Sequence, residues 1–441
     1  MNSFMKKKLF YVAFLANVAI IVFFWAQSSF SLLFSGLGSA LSSLGRLCGL
    51  LAVFIVLLQF VLMGRARWLE KIFGLDNLAK VHKLNGYGTI AFIVFHTVFI
   101  TAGYAISSHT TFISQFFTFL TNYEDVFKAF LATDIFIIVV FFSIYIVRRH
   151  LKYELWYLIH ILTYLAVILA WGHQLQNGQD FASNHLFVLY WYALYIFVFA
   201  NLLYFRFFLQ YYQFFKHRFY VESVVKENDS VSSMYISGRN IQQFKVQAGQ
   251  FIMVRFLSGM KVLQSHPFSV SMLPTNNRMR ITIKSNGDFT NTISEIKKNT
   301  KIIIDGPYGV FTEKLCTHNK VLFIAGGIGI TPIRVLIQQM AENKQDVILL
   351  YSNKKESETV FKKELDELSK KYHFPIRYMY TQGKMANSGR LNSEKIYLFV
   401  PDILERDVYL CGSSKMMESM ILELKKCSVK SWDIHYENFS L

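Results

Sequence analysis

Long apolar runs alternate with short polar stretches over the first half of the chain. Six of the runs are long enough to cross a bilayer as a helix, which takes about 20 apolar residues. They lie near residues 8–28, 44–64, 81–105, 129–148, 154–173 and 184–206. The first run follows MKKK, but it is longer than the apolar part of a typical signal peptide and lacks a clear small-residue cleavage site. We therefore interpret it as a retained helix.

The pattern changes near residue 215. Short alternating runs such as FYVESVVK, GQFIMVRFL and MRITIKS, separated by Gly, Asn and Asp, predict a small antiparallel barrel. After Asn319 the order becomes strand, glycine turn and helix, beginning with KVLFIAGGIGITPIRVLIQQM, which predicts a doubly wound α/β domain. The predicted fold is multi-domain, with a six-helix transmembrane bundle at 1–215, a β-barrel at 216–314 and an α/β domain at 315–441.

Lys/Arg clusters flank the apolar runs on alternate sides. They lie at the start and after the second, fourth and sixth runs, and the intervening loops are poor in Lys and Arg. By the positive-inside rule the clusters, the N-terminus and the soluble half face the cytoplasm. Much of the net charge of +17 is then membrane topology, and a nucleic-acid partner is not indicated. The four cysteines have no ligand spacing, which argues against a metal–thiolate site or a structural disulfide.

Two of the runs carry paired histidines. His82 and His96 are separated by 14 residues, close to four helical turns, while His160 and His173 are separated by 13. Both runs cross in the same direction, so His82 and His160 are predicted at the cytoplasmic level, and His96 and His173 at the outer level. Facing imidazoles at such depth can ligate a haem iron from both sides. The alternative is four hydrogen-bonded core residues, and Gly172 suggests that the second helix ends or distorts beside His173.

Two other charges lie in or near the runs. Arg46 opens the second run at the outer level, where it either pairs with a haem propionate or snorkels to the interface. Asp134 lies early in the fourth run and is expected at the outer aqueous edge.

Loops of the soluble half carry weaker signals. The proline of HPFSVSM (266–272) is predicted to fix a turn, and Thr290 and Asn291 after Gly287 could open a short helix whose N–H groups suit a phosphate. Alone, each is an ordinary barrel loop.

In the α/β domain, a glycine-rich turn lies between a buried strand and a helix. Its residues Gly326, Gly327 and Gly329 favour binding of a nucleotide at this turn.

Taken together, the motifs are specific enough to indicate a family. The relevant segments are GRLCGLLA, LMGRARWLEKIFGLDNLAKVHKLNG, the two histidine pairs, HPFSVSM, IKSNGDFTNTI, GPYG, AGGIGITP, YLCGSSKMM and the terminal HYENF. In this order and spacing the chain resembles the ferric reductase and NADPH oxidase superfamily, and its prokaryotic NADPH oxidases in particular.

The resemblance implies cofactors and their residues. FAD would be bound by His266, Pro267, Phe268, Ser269, Lys284, Gly287, Thr290 and Gly306. NADPH, or NADH, would be bound by Gly326, Gly327, Gly329, Thr331, Pro332, Cys411 and Gly412, with Cys411 near the nicotinamide and Phe439 covering the flavin, both in catalytic roles. Two b-type haems would be ligated by the pairs His82–His160 and His96–His173, and the family tolerates the 13-residue spacing between His160 and His173.

The implied function is a transmembrane relay from cytosolic NADPH through FAD and the haems to an outer acceptor. The acceptor is O2, giving superoxide, or a ferric or other metal chelate; Ile100 replaces a histidine that some superoxide-forming members carry. A transporter or sensor without haem, fused to a flavin domain, is the remaining alternative. Lys354, Lys355 or Arg390 could meet the 2′-phosphate of NADPH. The lipid bilayer is a predicted partner, no obligatory protein partner is evident, and activity is expected to be independent of calcium.

Overall fold

The computed structural model describes residues 3–123, 125–148, 150–182, 184–258, 264–382 and 389–437. The chain forms two compact units. The first, called the membrane unit, comprises residues 1–66 and 78–203. The second, called the soluble unit, comprises residues 67–77 and 204–441, so a short segment between two membrane helices belongs to it.

Helices make up the membrane unit. The helices up to the start of the barrel are α1 (Ser3–Ser29), α2 (Leu37–Met63), α3 (Arg67–Phe73), α4 (Leu75–Ser107), α5 (Phe112–Asn122), α6 (Val126–Ser143), α7 (Tyr145–Arg148), α8 (Tyr153–Asn177), α9 (Gln179–Ala182), α10 (His185–Leu202) and α11 (Leu209–His217). In the part of the chain that the structure describes, six helical stretches are long and apolar enough to span a membrane. These six match the six predicted runs, and the predicted transmembrane bundle is confirmed.

Two of the spans differ from their predicted course. The fourth ends at Ser143, where Ile144 adopts an extended conformation before α7, although the apolar run continues to residue 148. The fifth, α8, runs without a break through Gly172 and His173, so the suggested end at Gly172 is wrong. A single glycine costs a helix only about 1 kcal/mol. Here it also makes room for a neighbour, because a Cβ on Gly172 would lie 2.0 Å from Oδ2 of Asp125.

The soluble unit begins with an antiparallel barrel. Its strands are β1 (Tyr220–Asn228), β2 (Val231–Ser237), β3 (Phe251–Phe256), β4 (His266–Thr275), β5 (Arg278–Lys284) and β6 (Ile302–Tyr308), with the short helix α12 (Asp288–Asn291) after β5. They pair in the order β1-β2-β5-β4-β3-β6. A bridge between Tyr220 and Lys301 joins the two edges, and an apolar core that includes Phe219, Phe256 and Ile281 fills the interior.

The α/β part follows with a parallel sheet. Its elements are β7 (Lys320–Gly326), α13 (Ile330–Glu342), β8 (Asp346–Asn353), α14 (Lys362–Tyr372), β9 (Ile376–Tyr380), α15 (Ser393–Phe399), β10 (Arg406–Cys411), α16 (Ser414–Lys426) and β11 (Ile434–Tyr436). The strand order is β11-β10-β7-β8-β9. Successive residues of β7 point into two different cores, Phe323 into one and Leu322 into the other. Burial on both faces explains why these strands are continuously apolar. The predicted combination of barrel and α/β domain is confirmed.

Candidate functional site

Two pairs of histidines face each other between α4 and α8. The ring centroids of His82 and His160 are 5.9 Å apart, and those of His96 and His173 are 6.1 Å apart. These are the pairs that the charge topology predicts. A metal–imidazole bond is about 2.0–2.1 Å long, so two imidazoles on opposite sides of one ion place their coordinating nitrogens about 4 Å apart. Rings about 6 Å apart between centroids suit such an ion.

Hydrogen bonds at Nδ1 orient two of these rings. Nδ1 of His96 lies 2.8 Å from the carbonyl oxygen of Gly45, and Nδ1 of His160 lies 3.3 Å from the hydroxyl of Ser143. A histidine that donates from Nδ1 keeps the lone pair on Nε2, which is the tautomer that a metal needs. Within the described residues, Nδ1 of His82 and Nδ1 of His173 are buried and have no hydrogen-bond partner. Four half-buried imidazoles, two of them without a partner at Nδ1 in the described ranges, fit metal ligation better than a role as satisfied core residues.

A row of small residues lets α2 approach the histidine face of α4. An added Cβ on Gly49 would lie 2.6 Å from Nδ1 of His96, and one on Gly45 would lie 2.8 Å from the Ile100 side chain. Further along, a Cβ on Gly103 would lie 2.3 Å from the Ser42 hydroxyl. Spacings of three and four residues place small side chains on one helix face, which is how membrane helices pack closely. This row was not predicted, although the sequence has small residues at helical spacing in Gly38, Ser42, Gly45 and Gly49.

A cavity of about 440 Å³ is lined by His96 and His173, together with Arg46, Ile100 and Asp134. Most of its wall is apolar, with side chains from α2, α4, α5, α6, α8 and α10. The helix α5 contributes Phe116 and Phe119 to the wall, although the sequence predicted only an outer loop between residues 106 and 128. Asp134, expected at the outer aqueous edge, is half-buried here.

Arg46 belongs to a polar chain at the rim of this cavity. Its guanidinium donates to the Ser29 hydroxyl at 3.3 Å, and that hydroxyl donates to Oδ1 of Asp180 at 2.9 Å. Ser28 also donates to the same oxygen. Asp180 is buried and lines the cavity. Arg46 is therefore held by protein partners and does not simply extend to the membrane surface.

The predicted flavin residues share the barrel but differ in setting. His266, Pro267, Phe268 and Ser269 lie within β4 and pair with β3, so the proline sits in a strand and fixes no turn. The imidazole of His266 stacks on Phe289 at a centroid distance of 3.8 Å. Lys284 and Gly287 are exposed, and Gly306 is a buried residue of β6.

The short helix after β5 starts earlier than predicted. It begins at Asp288, with Gly287 as its N-cap residue at φ 146°, instead of at Thr290. The Thr290 hydroxyl turns back into the loop, because it accepts from the Asn286 N–H at 2.8 Å and donates to the Gly287 carbonyl.

Each glycine of the turn after β7 has a different environment. A Cβ on Gly329 would lie 2.3 Å from the Cys411 carbonyl oxygen, and one on Gly326 would lie 2.0 Å from Sδ of Met416. Gly327 has φ 55° and open space around it. Gly329 and Gly326 thus permit close packing, while Gly327 supplies the left-handed turn and an open backbone. Gly412 also contacts Met416; Thr331 and Pro332 are buried at the start of α13.

Cys411 is the last residue of β10 and is fully buried. Burial raises the pKa of the Cys411 thiol, and the carboxylate of Glu437 raises it further. Burial also raises the pKa of Glu437 well above its ordinary value, with Asp76 and Glu70 adding to the effect. The thiol is therefore protonated at neutral pH and is no nucleophile. Phe439 lies outside the described residues.

The sequence pattern did not indicate a role for the buried amide of Asn353 at the end of β8. The Asn353 side chain is only 5% exposed and interacts with the Tyr351 hydroxyl, but within the described residues neither of its polar atoms makes a hydrogen bond of good geometry. Asn353 lies at the carboxyl end of its strand, the edge at which open α/β sheets bind ligands. An amide with hydrogen-bonding capacity left over suits the hydroxyl or phosphate groups of a nucleotide.

Family comparisons agree with this arrangement. Residues 48–171 match the family described as ferric reductase like transmembrane component, residues 218–312 match an FAD-binding domain, and residues 323–421 match an oxidoreductase NAD-binding domain. The chain matches the domain architecture of the ferric reductase and NADPH oxidase superfamily. It is an oxidoreductase whose soluble unit has FAD- and NAD-binding domains and whose membrane unit is ferric-reductase-like.

Individual relatives match the soluble half. The chain is 29% identical to a flavohemoprotein of Candida albicans over 229 residues, which cover 48% of this chain and 57% of that protein. It is 24% identical over 188 residues to a glycine betaine monooxygenase reductase subunit of Pseudomonas aeruginosa, covering 40% and 51%. The chain thus spans little more than half the length of these curated relatives.

Two solved structures are among those to which the chain is similar. A flavohemoglobin from Malassezia yamatoensis has 20% identity and a TM-score of 0.47, with 89% of this chain and 96% of that chain covered. A ferredoxin NADP+ reductase from Neisseria gonorrhoeae has 17% identity and a TM-score of 0.44, with 50% and 99% covered.

Proposed function

We propose that the protein carries electrons from NADPH, through FAD and two b-type haems, to O2 on the outer side of a membrane, where superoxide forms. The observation that supports this most is the arrangement of four half-buried histidines in two facing pairs on α4 and α8, with ring centroids 5.9 and 6.1 Å apart. Charge topology favours a cytoplasmic soluble unit.

The residues assigned to each cofactor follow from chemistry and position. His82 with His160, and His96 with His173, would ligate the two haem irons through Nε2, and Arg46 would face a propionate. The β4 segment 266–269 with Lys284, Gly287, Thr290 and Gly306 would hold FAD. When bound, FAD accepts the two electrons of a hydride and the haems carry single electrons. The thiol of Cys411 and the aromatic ring of Phe439 would stand at the nicotinamide and the flavin.

The chain itself would contribute ligation, spacing and orientation of the ligands. Fourteen residues of helix separate His82 from His96, which corresponds to about 21 Å along the axis. Two haem levels at that spacing would divide the electron path across a hydrocarbon core of about 30 Å into shorter steps. The contact of His96 Nδ1 with the Gly45 carbonyl oxygen fixes the ring and would leave the lone pair of Nε2 for the iron.

The nature of the outer cavity favours O2 as the acceptor. Its wall is mostly apolar, which suits a small neutral molecule better than a charged metal chelate. Arg46 supplies one positive charge at the rim, where it would stabilise a developing superoxide anion. Reduction of ferric or other metal chelates by the same relay is the second candidate, because Ile100 replaces the additional histidine of some superoxide-forming relatives.

An assay of the purified protein with NADPH distinguishes the two acceptors. We expect cytochrome c reduction that superoxide dismutase suppresses. Rapid reduction of ferric chelates, together with cytochrome c reduction that dismutase does not affect, would instead favour the metal-chelate reductase.

An absorption spectrum tests the haems independently of the acceptor. After dithionite reduction we expect the α-band of a b-type haem and about two haems per chain. A spectrum without this band would leave a flavin protein fused to a transporter or sensor. Comparing kcat/KM for NADPH and NADH then tests whether the protein prefers the cofactor with a 2′-phosphate. Such a preference is expected if Lys354, Lys355 or Arg390 binds that phosphate.

A further inference from the structure

A second cluster of metal-ligating side chains lies at the opposite edge of the parallel sheet. His318 precedes β7, Asp407 is the second residue of β10 and Asp433 directly precedes β11. One ligand atom from each of the three lies within 4.8 Å of the others. Asp407 stands four residues before Cys411, which in an extended strand is about 13 Å. The cluster is therefore distinct from the nucleotide crevice.

Asp407 is the fixed member of the cluster. Its side chain is fully buried and accepts from the backbone N–H groups of Thr317 and His318 at 2.7 and 2.6 Å, and Nε2 of His435 lies 2.7 Å from Oδ1. These hydrogen bonds hold both oxygens of the Asp407 carboxylate in place.

Asp433 is the member without a partner. It is only 6% exposed, and within the described ranges its carboxylate makes no hydrogen bond or ion pair, whereas its backbone N–H and C=O bond Lys430 and Val408. One oxygen of the Asp433 carboxylate lies within 4.8 Å of ligand atoms of His318 and Asp407. It is therefore placed to bind a cation between them.

We propose that His318, Asp407 and Asp433 form a site for a divalent cation such as Zn²⁺. Nδ1 of His318 and one oxygen from each aspartate would be the ligands, a nitrogen and oxygen set that suits Zn²⁺. Nδ1 of His318 is 3.1 Å from Oδ2 of Asp407, close to the separation of about 3.4 Å expected for two ligands of one tetrahedral ion. The His318 side chain is 40% exposed, so it can adjust, and solvent can reach the fourth position.

The ion would tie the end of the chain to the sheet. β11 pairs with β10 through three residues only, Ile434 to Tyr436, and Asp433 is the residue just before them. A strand this short adds little stability by itself. One metal ion bound across the 316–319 turn, β10 and β11 would anchor the segment that carries Glu437 toward Gly309.

Zinc binding by the full-length, untagged holoprotein tests the site. After treatment with a chelator, the protein is equilibrated with Zn²⁺, and zinc per chain is measured together with the Tm. We expect one tightly bound zinc ion and a higher Tm. Asp433→Asn should weaken binding more than about tenfold. Asp229→Asn is the matched control, because Asp229 is an exposed carboxylate that pairs with Lys226 in the barrel, and this variant should bind zinc like the wild type.

His318→Gln provides a second variant in case Asp433→Asn folds poorly. Its side chain is partly exposed, so the fold should survive, with an unchanged flavin spectrum, while zinc affinity falls as in Asp433→Asn. Equal zinc binding by the wild type and both variants, or no tightly bound zinc in the wild type, would overturn the proposal. The measurement does not depend on electron transfer, so it is separate from the proposed function.

Discussion

At the scale of single residues, glycines on α2 decide how His96 is held. Gly45 provides the carbonyl that Nδ1 of His96 contacts at 2.8 Å. Gly49 provides the space that the ring occupies, since an added Cβ would lie 2.6 Å from Nδ1 and 2.9 Å from Cε1. The backbone of one helix thus orients a side chain of another, which requires both glycines at once.

Gly49→Ala should displace His96 and lower haem content. The added methyl group cannot coexist with the present ring position, so the imidazole must move and the outer haem should be lost, leaving about one haem per chain. The measurement is haem per protein in the purified variant. Gly88→Ala is the matched control, because a Cβ at that position on α4 would meet no atom within 4 Å. Full haem content in Gly49→Ala would contradict this account.

Asn353 is a second residue whose proposed role depends on the hydrogen-bonding capacity of its side chain. If its buried amide contacts the nucleotide, Asn353→Ala should raise the KM for NADPH about tenfold, the usual cost of losing a buried hydrogen bond. FAD content should not change. Steady-state kinetics of the soluble unit's flavin reduction provides the measurement, and an unchanged KM would remove Asn353 from the site.

At the scale of elements, the short helix α3 is part of the soluble unit. The carboxylate of Glu70 accepts from the Gly309 N–H at 2.6 Å, and Glu437 lies against the same glycine. Burial raises the pKa of Glu70 to about 7; Lys71 and Arg67 lower it, while Asp76 raises it. Two acidic side chains from distant parts of the sequence therefore converge on one turn of the barrel.

Glu70→Gln should change how stability depends on pH. The folded-state pKa of about 7 lies above the ordinary 4.5, so the folded protein binds more protons than the unfolded chain between these values. The contribution of Glu70 to stability is complete at low pH and is lost as pH rises through 7. Glutamine keeps an acceptor for Gly309 without the charge. The Tm of the variant minus that of the wild type should therefore rise from about pH 5 to about pH 8.

The exposed Glu418→Gln on α16 is the control for this experiment, and its Tm difference should stay constant over the same range. A Glu70→Gln difference that falls with rising pH would mean that Glu70 is ionised and favourably paired in the folded protein.

Sequence periodicity predicted most elements because burial imposes it. The six apolar runs and the buried strand β7 follow from composition alone. The strand β11 was not predicted, because three residues are too short to show a pattern. The proline of β4 was interpreted as a turn residue, since nothing local shows that Pro267 would pair with Met253. Gly172 was interpreted as a helix end, since the packing of Asp125 against it is a tertiary contact.

At the scale of the whole molecule, the proposed relay separates flavin reduction from electron transfer across the membrane. His96→Leu should lose about half of the haem, and superoxide production should fall to background. Flavin reduction by NADPH should stay within about twofold of the wild type, because the soluble unit is a separate compact body. Stopped-flow flavin absorbance and the dismutase-sensitive assay measure the two steps.

His185→Gln is the matched control for that variant, because His185 is an exposed histidine at the start of α10 and belongs to neither pair. Equal loss of flavin reduction in His96→Leu would mean that the substitution damages the protein as a whole.

The sequence by itself determined the six spans, the barrel, the α/β domain and the pairing of the four histidines. Each of these follows from hydrophobic pattern, charge distribution or spacing along one segment. The tertiary structure decided which Nδ1 is paired, how α2 packs on His96, how Arg46 reaches Asp180 through Ser29, and how His318, Asp407 and Asp433 meet. These depend on contacts between segments that are far apart in the chain, and no local pattern encodes the distance between two such atoms.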